Sequence, residues 1–179
     1  MDLNLRNAVV LITGASRGLG REFAIAFADE GAHVAICARD SAKLEETAAA
    51  VRAGGAECLA LQADLLDGAA CQRVVDDTVA RFGRLDVLVN NASASVDTTP
   101  KSIEVATDAQ VMARINGKML VAVRCARAAL PHMRKGGGGR IVNIGGTAAR
   151  TVFRRGDMPS EGSGLAQGLG NDTQKIGIL

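Results

Sequence analysis

Short apolar runs alternate along the chain with longer stretches in which apolar residues recur every three or four positions. The short runs are rich in Val, Ile and Leu and have the length of buried β-strands. They occupy residues 8–13, 33–38, 57–62, 86–90 and 140–144. The stretches between them have the period of an amphipathic helix. This alternation predicts an α/β fold, because parallel strands are joined by crossover helices.

The helical stretches complete the predicted topology. The first carries Leu19, Phe23, Ala26 and Phe27 at helical spacing, and the longest covers residues 104–133. Right-handed crossovers between parallel strands leave few arrangements of the sheet. We therefore predict a doubly wound parallel sheet with helices on both faces and the strand order 3-2-1-4-5.

The pattern changes after the fifth strand. Residues 156–170 contain five glycines and no apolar period, which is typical of a loop. The sequence thus predicts a folded domain at residues 1–149 and a glycine-rich irregular segment at residues 150–179. We expect the sheet to end with its fifth strand.

Composition removes several classes of function. The net charge is only +2 and the basic residues are scattered, so no nucleic-acid partner is predicted. Four cysteines, at positions 37, 58, 71 and 125, are widely spaced, which predicts reduced thiols and no metal site. No apolar run reaches the roughly 18 residues of a membrane span, and the first residues lack an apolar leader. We expect a soluble, cytoplasmic protein with no membrane partner.

A glycine-rich turn, TGASRGLG at residues 13–20, separates the first strand from the first helix. Its glycines, Gly14, Gly18 and Gly20, allow a tight bend, and the helix that follows offers free N–H groups to an anion. No Lys-Ser/Thr pair follows, so the turn is not a Walker A motif. A plain strand-to-helix turn would look similar. The position after the first strand of an alternating pattern favours a nucleotide site.

Four motifs in order resemble the short-chain dehydrogenase/reductase family over roughly residues 5–147. They are TGASRGLG at 13–20, ADLLD at 63–67, NNAS at 90–93 and RINGKML at 114–120. The resemblance implies that residues 1–149 form a Rossmann domain that binds NAD(P). It also implies hydride transfer between a nicotinamide and a carbonyl or alcohol substrate.

Mapped residue by residue, the resemblance implies a set of cofactor contacts. They are Thr13, Gly14, Ser16, Arg17, Gly18, Leu19, Gly20, Arg39, Asp64, Leu65, Asn90 and Ala92. In this set Asp64 would contact the adenine. As strand-end residues, Asp64 and Asn90 could equally serve as caps of the local backbone.

Charge favours NADP over NAD. Relatives that prefer NAD carry an acid at the end of the second strand, where it accepts hydrogen bonds from the ribose hydroxyls. This sequence has Ala38 followed by Arg39 there, and Arg17 lies in the glycine turn. Two guanidinium groups suit a 2′-phosphate, which they bind through charge-assisted hydrogen bonds. The alternative is that Arg39 is simply solvated before a helix N-cap at Asp40.

The positions that would carry the chemistry depart from the family pattern. Asn116 matches the asparagine of the family's catalytic set. The serine that polarises the carbonyl falls on Gly146, and the hydroxyl of neighbouring Thr147 is shifted by one residue. The chain contains no tyrosine to act as acid/base.

The lysine that accompanies the tyrosine is also unmatched. The family's spacing from residue 146 places the Tyr/Lys pair at Pro159 and Ser163, and an alternative alignment places it at Gln167 and Asn171. Neither alignment supplies a phenol and an ammonium group.

Three functions remain open at this point. The first is an NADP(H)-dependent oxidoreductase with a small carbonyl or alcohol substrate. The second is a non-catalytic NADP(H)-binding protein, since the cofactor motifs are kept while the Ser, Tyr and Lys are not. A purely structural or oligomerising module would leave the glycine turn and Arg39 unexplained. Self-association is expected through the helix at 104–133 or through the exposed edge of the sheet.

Overall fold

The computed structural model of the chain describes residues 3–93 and 106–145. In chain order the elements are β1 (Val9–Thr13), α1 (Gly18–Asp29), β2 (His33–Ala38), α2 (Ser41–Ala53), β3 (Cys58–Gln62), α3 (Gly68–Phe82), β4 (Val87–Asn90), α4 (Asp108–Arg114), a π-helical turn (Ile115–Leu120), α5 (Val121–Lys135) and β5 (Arg140–Asn143). The predicted glycine-rich segment at 150–179 lies outside the described residues.

The strands form one parallel sheet in the order β3-β2-β1-β4-β5. The central strand β1 pairs with β2 on one side and with β4 on the other, so that Leu11 lies between Ala35 and Leu88. The predicted strand order is confirmed. Because the strands are parallel, all their carboxyl ends lie at one edge of the sheet.

Helices cover both faces of the sheet, and each face has its own core. On one face α3 and α5 pack over side chains such as Leu11 and Leu88, while on the other α1 and α2 pack over Ile12 and Ile36. Successive residues of β1 therefore enter different cores, and all five are buried. This explains why the strands read as continuous apolar runs in the sequence. A strand with one face exposed to solvent would instead alternate apolar and polar residues.

Helix α1 contacts its core through small and large residues together. Its buried positions are Gly20, Ala24 and Ala28, and the partly buried Phe23 and Phe27 pack against the same core. Leu19 is 62% exposed and Ala26 is also exposed. The predicted helix is confirmed, and the two phenylalanines of its predicted apolar positions contact the core.

The long helical stretch begins later than predicted and is not a regular α-helix. It starts at α4 because Thr107 and Gln110 form a capping box: the Gln110 N–H donates to Thr107 Oγ1 at 3.3 Å and the Thr107 N–H donates to Gln110 Oε1 at 2.9 Å. It continues through the π-helical turn into α5 and ends at Lys135. The predicted range 104–133 is therefore wrong at its start by about a turn.

Candidate functional site

Most residues that the sequence predicts for the site meet at the carboxyl edge of the sheet. The glycine turn follows β1, Arg39 follows β2, Asp64 and Leu65 follow β3, Asn90 ends β4 and Ala92 follows it. The fold thus brings together segments that are far apart in the sequence. In open α/β sheets, ligands bind outside the carboxyl ends of the strands.

The glycine turn is hydrogen-bonded to the neighbouring strand. The backbone N–H groups of Gly14 and Ala15 both donate to the carbonyl oxygen of Cys37, at 2.8 and 3.2 Å. Gly14 and Gly18 have φ angles of +69° and +56°, in the left-handed region that favours glycine. The turn therefore sits directly against the end of β2, two residues before Arg39.

Two of the three glycines are needed for close packing. A Cβ on Gly14 would lie 2.8 Å from Ala92 Cα, and a Cβ on Gly20 would overlap the Gly14 carbonyl oxygen and lie 2.6 Å from Asn91 Nδ2. At Gly18 a Cβ would meet nothing within 4 Å. Gly18 thus leaves the outer surface of the turn open, in a place where a ligand could approach the backbone.

The N-terminus of α1 has no side-chain cap. Its N-cap residue, Arg17, makes no capping hydrogen bond, and the first turn contains no acidic residue. The helices that follow β2 and β3 are both capped by aspartates: Asp40 accepts from the Lys43 N–H at 3.1 Å, and Asp67 accepts from the Ala69 N–H at 2.9 Å. Only α1 of these three therefore keeps its first N–H groups for an outside anion, with a cationic side chain beside them.

Thr13 and Asn91 join the glycine turn to the end of β4. The buried Thr13 hydroxyl accepts from the backbone N–H groups of Asn91 at 3.1 Å and Ala92 at 3.0 Å, and it lies 3.3 Å from the Val89 carbonyl oxygen, to which it donates. Asn91 Nδ2 donates to the carbonyl oxygens of Thr13 at 3.0 Å and Gly14 at 3.1 Å. The Thr13 side chain is thus fully used within the protein, and a cofactor contact from it stays a prediction.

Asn91 is not among the residues that the sequence predicts for the site. Its contacts with the turn show that it positions the backbone of Thr13 and Gly14. The second amide of the Asn-Asn pair was the available signal, since an amide at a strand end beside a glycine turn can bind free backbone carbonyls.

Asn90, the last residue of β4, connects the end of this strand to neighbouring elements. It is only 5% exposed, and its Nδ2 donates to Asn143 Oδ1 at 3.0 Å and to the Ala122 carbonyl oxygen at 3.4 Å. It therefore links β4 to β5 and to α5. These contacts match the structural role left open by the sequence, and its predicted cofactor contact stays a prediction.

The loop after β3 holds Asp64 at the surface and Leu65 in the core. Asp64 Oδ1 accepts from the Leu66 N–H at 3.1 Å, while Leu65 is 7% exposed and packs in the core under α3 and α5. Asp64 thus caps its own loop with one oxygen and remains exposed. The predicted cofactor contact of the largely buried Leu65 stays a prediction.

Asn116 lies in the π-helical turn that joins α4 to α5. Its Oδ1 accepts from Arg124 Nη1 at 2.8 Å, and the same nitrogen donates to the Leu66 carbonyl oxygen at 3.3 Å. Burial lowers the pKa of the nearby Lys118 ammonium. Single π-turns are frequent at functional sites. Lys118 lies within the RINGKML motif without a predicted role, and Arg124 lies outside the sequence motifs.

The remaining predicted residues are at or beyond the edge of the turn. Ser16 is partly buried, whereas Arg17, Leu19 and Arg39 are exposed. The backbone carbonyl of Arg39 accepts from Gln62 Nε2 at 3.0 Å, which holds the end of β2 against β3. The positions that align with the family's Ser, Tyr and Lys lie outside the described residues: 146, 147, 159, 163, 167 and 171.

Within residues 3–93 and 106–145, every helix is too short or too polar to cross a membrane. No group of three or more His, Cys, Asp or Glu side chains in the same residues could hold a metal ion.

Comparison with known proteins gives consistent matches. The family model described as short chain dehydrogenase matches residues 8–157. The 11-beta-hydroxysteroid dehydrogenase 1A of Arabidopsis thaliana is 40% identical over 147 residues, which cover 82% of this chain and 41% of that relative. The 1,6-dihydroxycyclohexa-2,4-diene-1-carboxylate dehydrogenase of Pseudomonas putida is 35% identical over 154 residues, which cover 86% of this chain and 56% of that relative.

Among solved structures, an NADH-dependent reductase in complex with NAD superposes with a TM-score of 0.83 at 27% identity, covering 98% of this chain and 73% of that one. The chain spans about half the length of the two curated relatives, 41% and 56%. The family model covers most of the chain. The chain therefore belongs to the short-chain dehydrogenase family.

Proposed function

We propose that the chain binds NADP(H) and acts as an oxidoreductase that transfers hydride between the nicotinamide and a carbonyl or alcohol substrate. The observation that carries this proposal is the open N-terminus of α1 behind the glycine turn. It offers free N–H groups at the carboxyl edge of the sheet, where the fold brings the other predicted contacts together. An anion with the shape of a pyrophosphate fits this position.

In this proposal, different residues of the chain bind different parts of the cofactor. The first turn of α1 would bind the pyrophosphate, and Gly18 would let it approach the backbone. Asp64, exposed after β3, would accept a hydrogen bond from the adenine amino group. When bound, the nicotinamide supplies or accepts the hydride, and the protein holds it in place.

The preference for NADP is supported by the charges at the end of β2. Arg39, which follows β2, and Arg17, in the glycine turn, are both exposed, and the hydrogen bonds from Gly14 and Ala15 to the Cys37 carbonyl hold the turn against the end of β2. The nearest acid in sequence, Asp40, is already occupied, because it caps α2 and lies 3.7 Å from the Lys43 ammonium. A 2′-phosphate would therefore meet two guanidinium groups, and the ribose hydroxyls of NAD would find no free carboxylate at Asp40.

The second candidate function is nucleotide binding without turnover. It is favoured by the complete absence of tyrosine from the sequence. A positioned general acid typically contributes about 10²–10⁴-fold to the rate. Without it a bound nicotinamide could still transfer hydride to a substrate protonated by water, only more slowly.

NADPH titration of the full chain tests the proposal. The chain has no tyrosine or tryptophan, so the fluorescence of the reduced nicotinamide is free of protein emission. We expect saturable NADPH binding, weaker NADH binding, and slow NADPH oxidation with a panel of ketones and aldehydes. Binding without oxidation would support the second candidate function, and failure to bind either nucleotide would contradict both.

A further inference from the structure

Arg124, in the first turn of α5, joins two segments of the candidate site. Its half-buried guanidinium donates through Nη1 to Asn116 Oδ1 at 2.8 Å and to the Leu66 carbonyl oxygen at 3.3 Å. Both acceptors are uncharged, and within residues 3–93 and 106–145 no carboxylate forms an ion pair with Arg124. An arginine that served only solubility would not need two hydrogen-bond acceptors within the protein.

Arg124 passes beside the first residue of α3. A Cβ on Gly68 would lie 3.4 Å from Arg124 Nε and 3.6 Å from its Cδ, which is ordinary van der Waals contact. The side chain therefore runs along the N-terminus of α3 to the loop after β3, and its two hydrogen bonds define its path.

The two acceptors belong to different halves of the site. Leu66 lies in the loop whose exposed residue Asp64 we assign to the adenine, and the Leu66 N–H donates to Asp64 Oδ1 at 3.1 Å. Asn116 lies in the π-helical turn, which carries the one matched member of the family's catalytic set. A continuous series of hydrogen bonds therefore runs from Asp64 through Leu66 and Arg124 to Asn116.

The π-helical turn, Ile115–Leu120, is the element that this series of hydrogen bonds anchors. The i to i+5 pattern is rare and occurs mostly as a single turn inside an α-helix, often at a functional site. Arg124 connects the turn, through Asn116, to the loop after β3. A ligand that orders this loop would strengthen the anchor, and a looser loop would weaken it.

We propose that Arg124 is a positioning residue that couples occupancy of the adenine side of the cofactor site to the order of the π-helical turn. This inference rests on the proposed function, because the ligand is a nucleotide. Coupling between two sites is reciprocal, so a variant that loosens the turn weakens nucleotide binding by the same factor. In this proposal Arg124 acts through its two hydrogen-bond partners, Leu66 and Asn116.

Amide hydrogen exchange of the full chain tests the coupling without any turnover. The ligand is 2′-phospho-ADP-ribose, which contains the adenosine and pyrophosphate parts of NADP and no nicotinamide. At saturation we expect slower exchange in the glycine turn, residues 14–20, and also in residues 115–121. The second effect should be on the order of fivefold or more, the lower end of ordinary coupling between sites.

The variant Arg124→Met keeps the aliphatic volume and removes the donors. It should lose the ligand-induced protection of residues 115–121 while keeping that of residues 14–20, and its affinity for the ligand should fall by about the same factor. Arg127→Met is the matched control, since Arg127 is exposed on the same helix. The control should behave like the unmodified chain.

Asn116→Ala removes the acceptor of the hydrogen bond that Arg124 donates to Asn116. It also provides a test if Arg124→Met does not fold. It should abolish the same protection, and the double variant should show no further loss, because the two residues act through one interaction. Protection of residues 14–20 without any at 115–121 in the unmodified chain would overturn the coupling alone. No protection in either segment would overturn the proposed function and the coupling with it.

Discussion

At Gly20, helix α1 passes so close to the glycine turn that an added methyl group would overlap the Gly14 carbonyl oxygen and lie 2.6 Å from Asn91 Nδ2. The obstacle is backbone, which can move aside only if the turn moves with it. We expect Gly20→Ala to lower the free energy of unfolding by about 1–3 kcal/mol and to weaken NADPH binding. Urea titration and NADPH fluorescence measure these two effects.

The matched control for this substitution is Gly54→Ala. Gly54 ends α2 with an ordinary φ of −77°, and a Cβ there would come no closer than 3.4 Å to the Val51 carbonyl oxygen. It lies at the opposite edge of the sheet from the turn. Equal losses of nucleotide affinity in the two variants would contradict the role given to Gly20.

Arg39 should decide which nucleotide the chain prefers. Arg39→Asp would replace a group that binds a 2′-phosphate with one that repels it and can accept from ribose hydroxyls. We expect the ratio of NADPH to NADH affinity to fall by about tenfold or more, because a hydrogen bond to a charged group is worth roughly 1.5–3 kcal/mol. Fluorescence titration with both nucleotides measures the ratio.

Arg134→Asp makes the same charge change at the other end of the molecule, in the last turn of α5. It should leave the ratio of affinities unchanged. If both variants alter the ratio equally, long-range charge and not a 2′-phosphate site explains the preference.

Lys118 should make the stability of the chain depend on pH. Burial lowers the pKa of its ammonium below the ordinary value of 10.5, so the folded state disfavours the charged form. The resulting destabilisation is complete below the folded pKa and disappears as the pH rises through 10.5. Lys118→Met should therefore raise the melting temperature at pH 7, and the gain should shrink towards pH 10.5.

Thermal unfolding of both proteins from pH 7 to pH 10.5 measures this effect. Lys135→Met, at the exposed end of α5, is the control and should show no gain that shrinks with pH. A gain for Lys118→Met that stays constant with pH would show that packing, and not the charge, is responsible.

At the scale of elements, the N-terminus of α1 lacks the side-chain cap that α2 and α3 have. Arg17 has extended backbone angles, φ −166° and ψ 171°, and a side chain that does not cap the helix. Arg17→Asp should supply the missing cap, as aspartate does for α2 and α3, and stabilise the chain by about 0.5–1 kcal/mol. The same carboxylate should repel the pyrophosphate and weaken NADPH binding.

We expect the urea midpoint to rise and the affinity for NADPH to fall in the same variant, Arg17→Asp. Arg17→Ala separates the two effects, because it removes the cation without adding a cap, and should lose affinity with no gain in stability. A stabilised Arg17→Asp variant with unchanged affinity would contradict an anion site at this helix end.

The elements themselves were largely predictable, with two informative exceptions. Burial of β1 on both sides follows from its continuous apolar run, and the crossovers then determine the sheet order. The buried side of α1 was predictable only in part, because Phe23 and Phe27 pack against the core as their spacing indicates, whereas the buried Gly20, Ala24 and Ala28 are too small to give a clear apolar signal. The π-turn at Ile115–Leu120 leaves no periodic signal in so short a segment.

At the scale of the molecule, α5 carries an apolar face that no described element covers. Val123 and Leu130, seven residues apart, are 40% and 39% exposed. We expect the chain to self-associate through this face and the double variant Val123→Lys, Leu130→Lys to shift it towards monomer. Light scattering over a range of concentrations measures the mass.

The edge strand is the other route expected from the sequence. Val142 in β5 is 39% exposed, and Val142→Lys tests that edge separately. Dissociation by this variant alone would place the association at the sheet edge and not at α5. A chain that is monomeric at all concentrations would exclude both routes.

The site was predictable as far as local motifs reach. The glycine turn and the strand ends lie in short patterns, so their meeting at one edge follows once the sheet order is known. Asn91 and Arg124 act across 77 and 58 residues of chain, on Gly14 and Leu66, and no local spacing records such contacts. Long-range polar contacts therefore account for most of what the sequence did not predict.

The hydrogen bonds that hold the glycine turn in place affect the thermodynamics of nucleotide binding. The turn is bound to β2 through the Cys37 carbonyl and to β4 through Thr13 and Asn91. Its conformational entropy is therefore lost when the protein folds, and little is left to lose when a nucleotide arrives. Binding energy from the phosphates then appears almost undiminished as affinity, which is the advantage of a preorganised receptor.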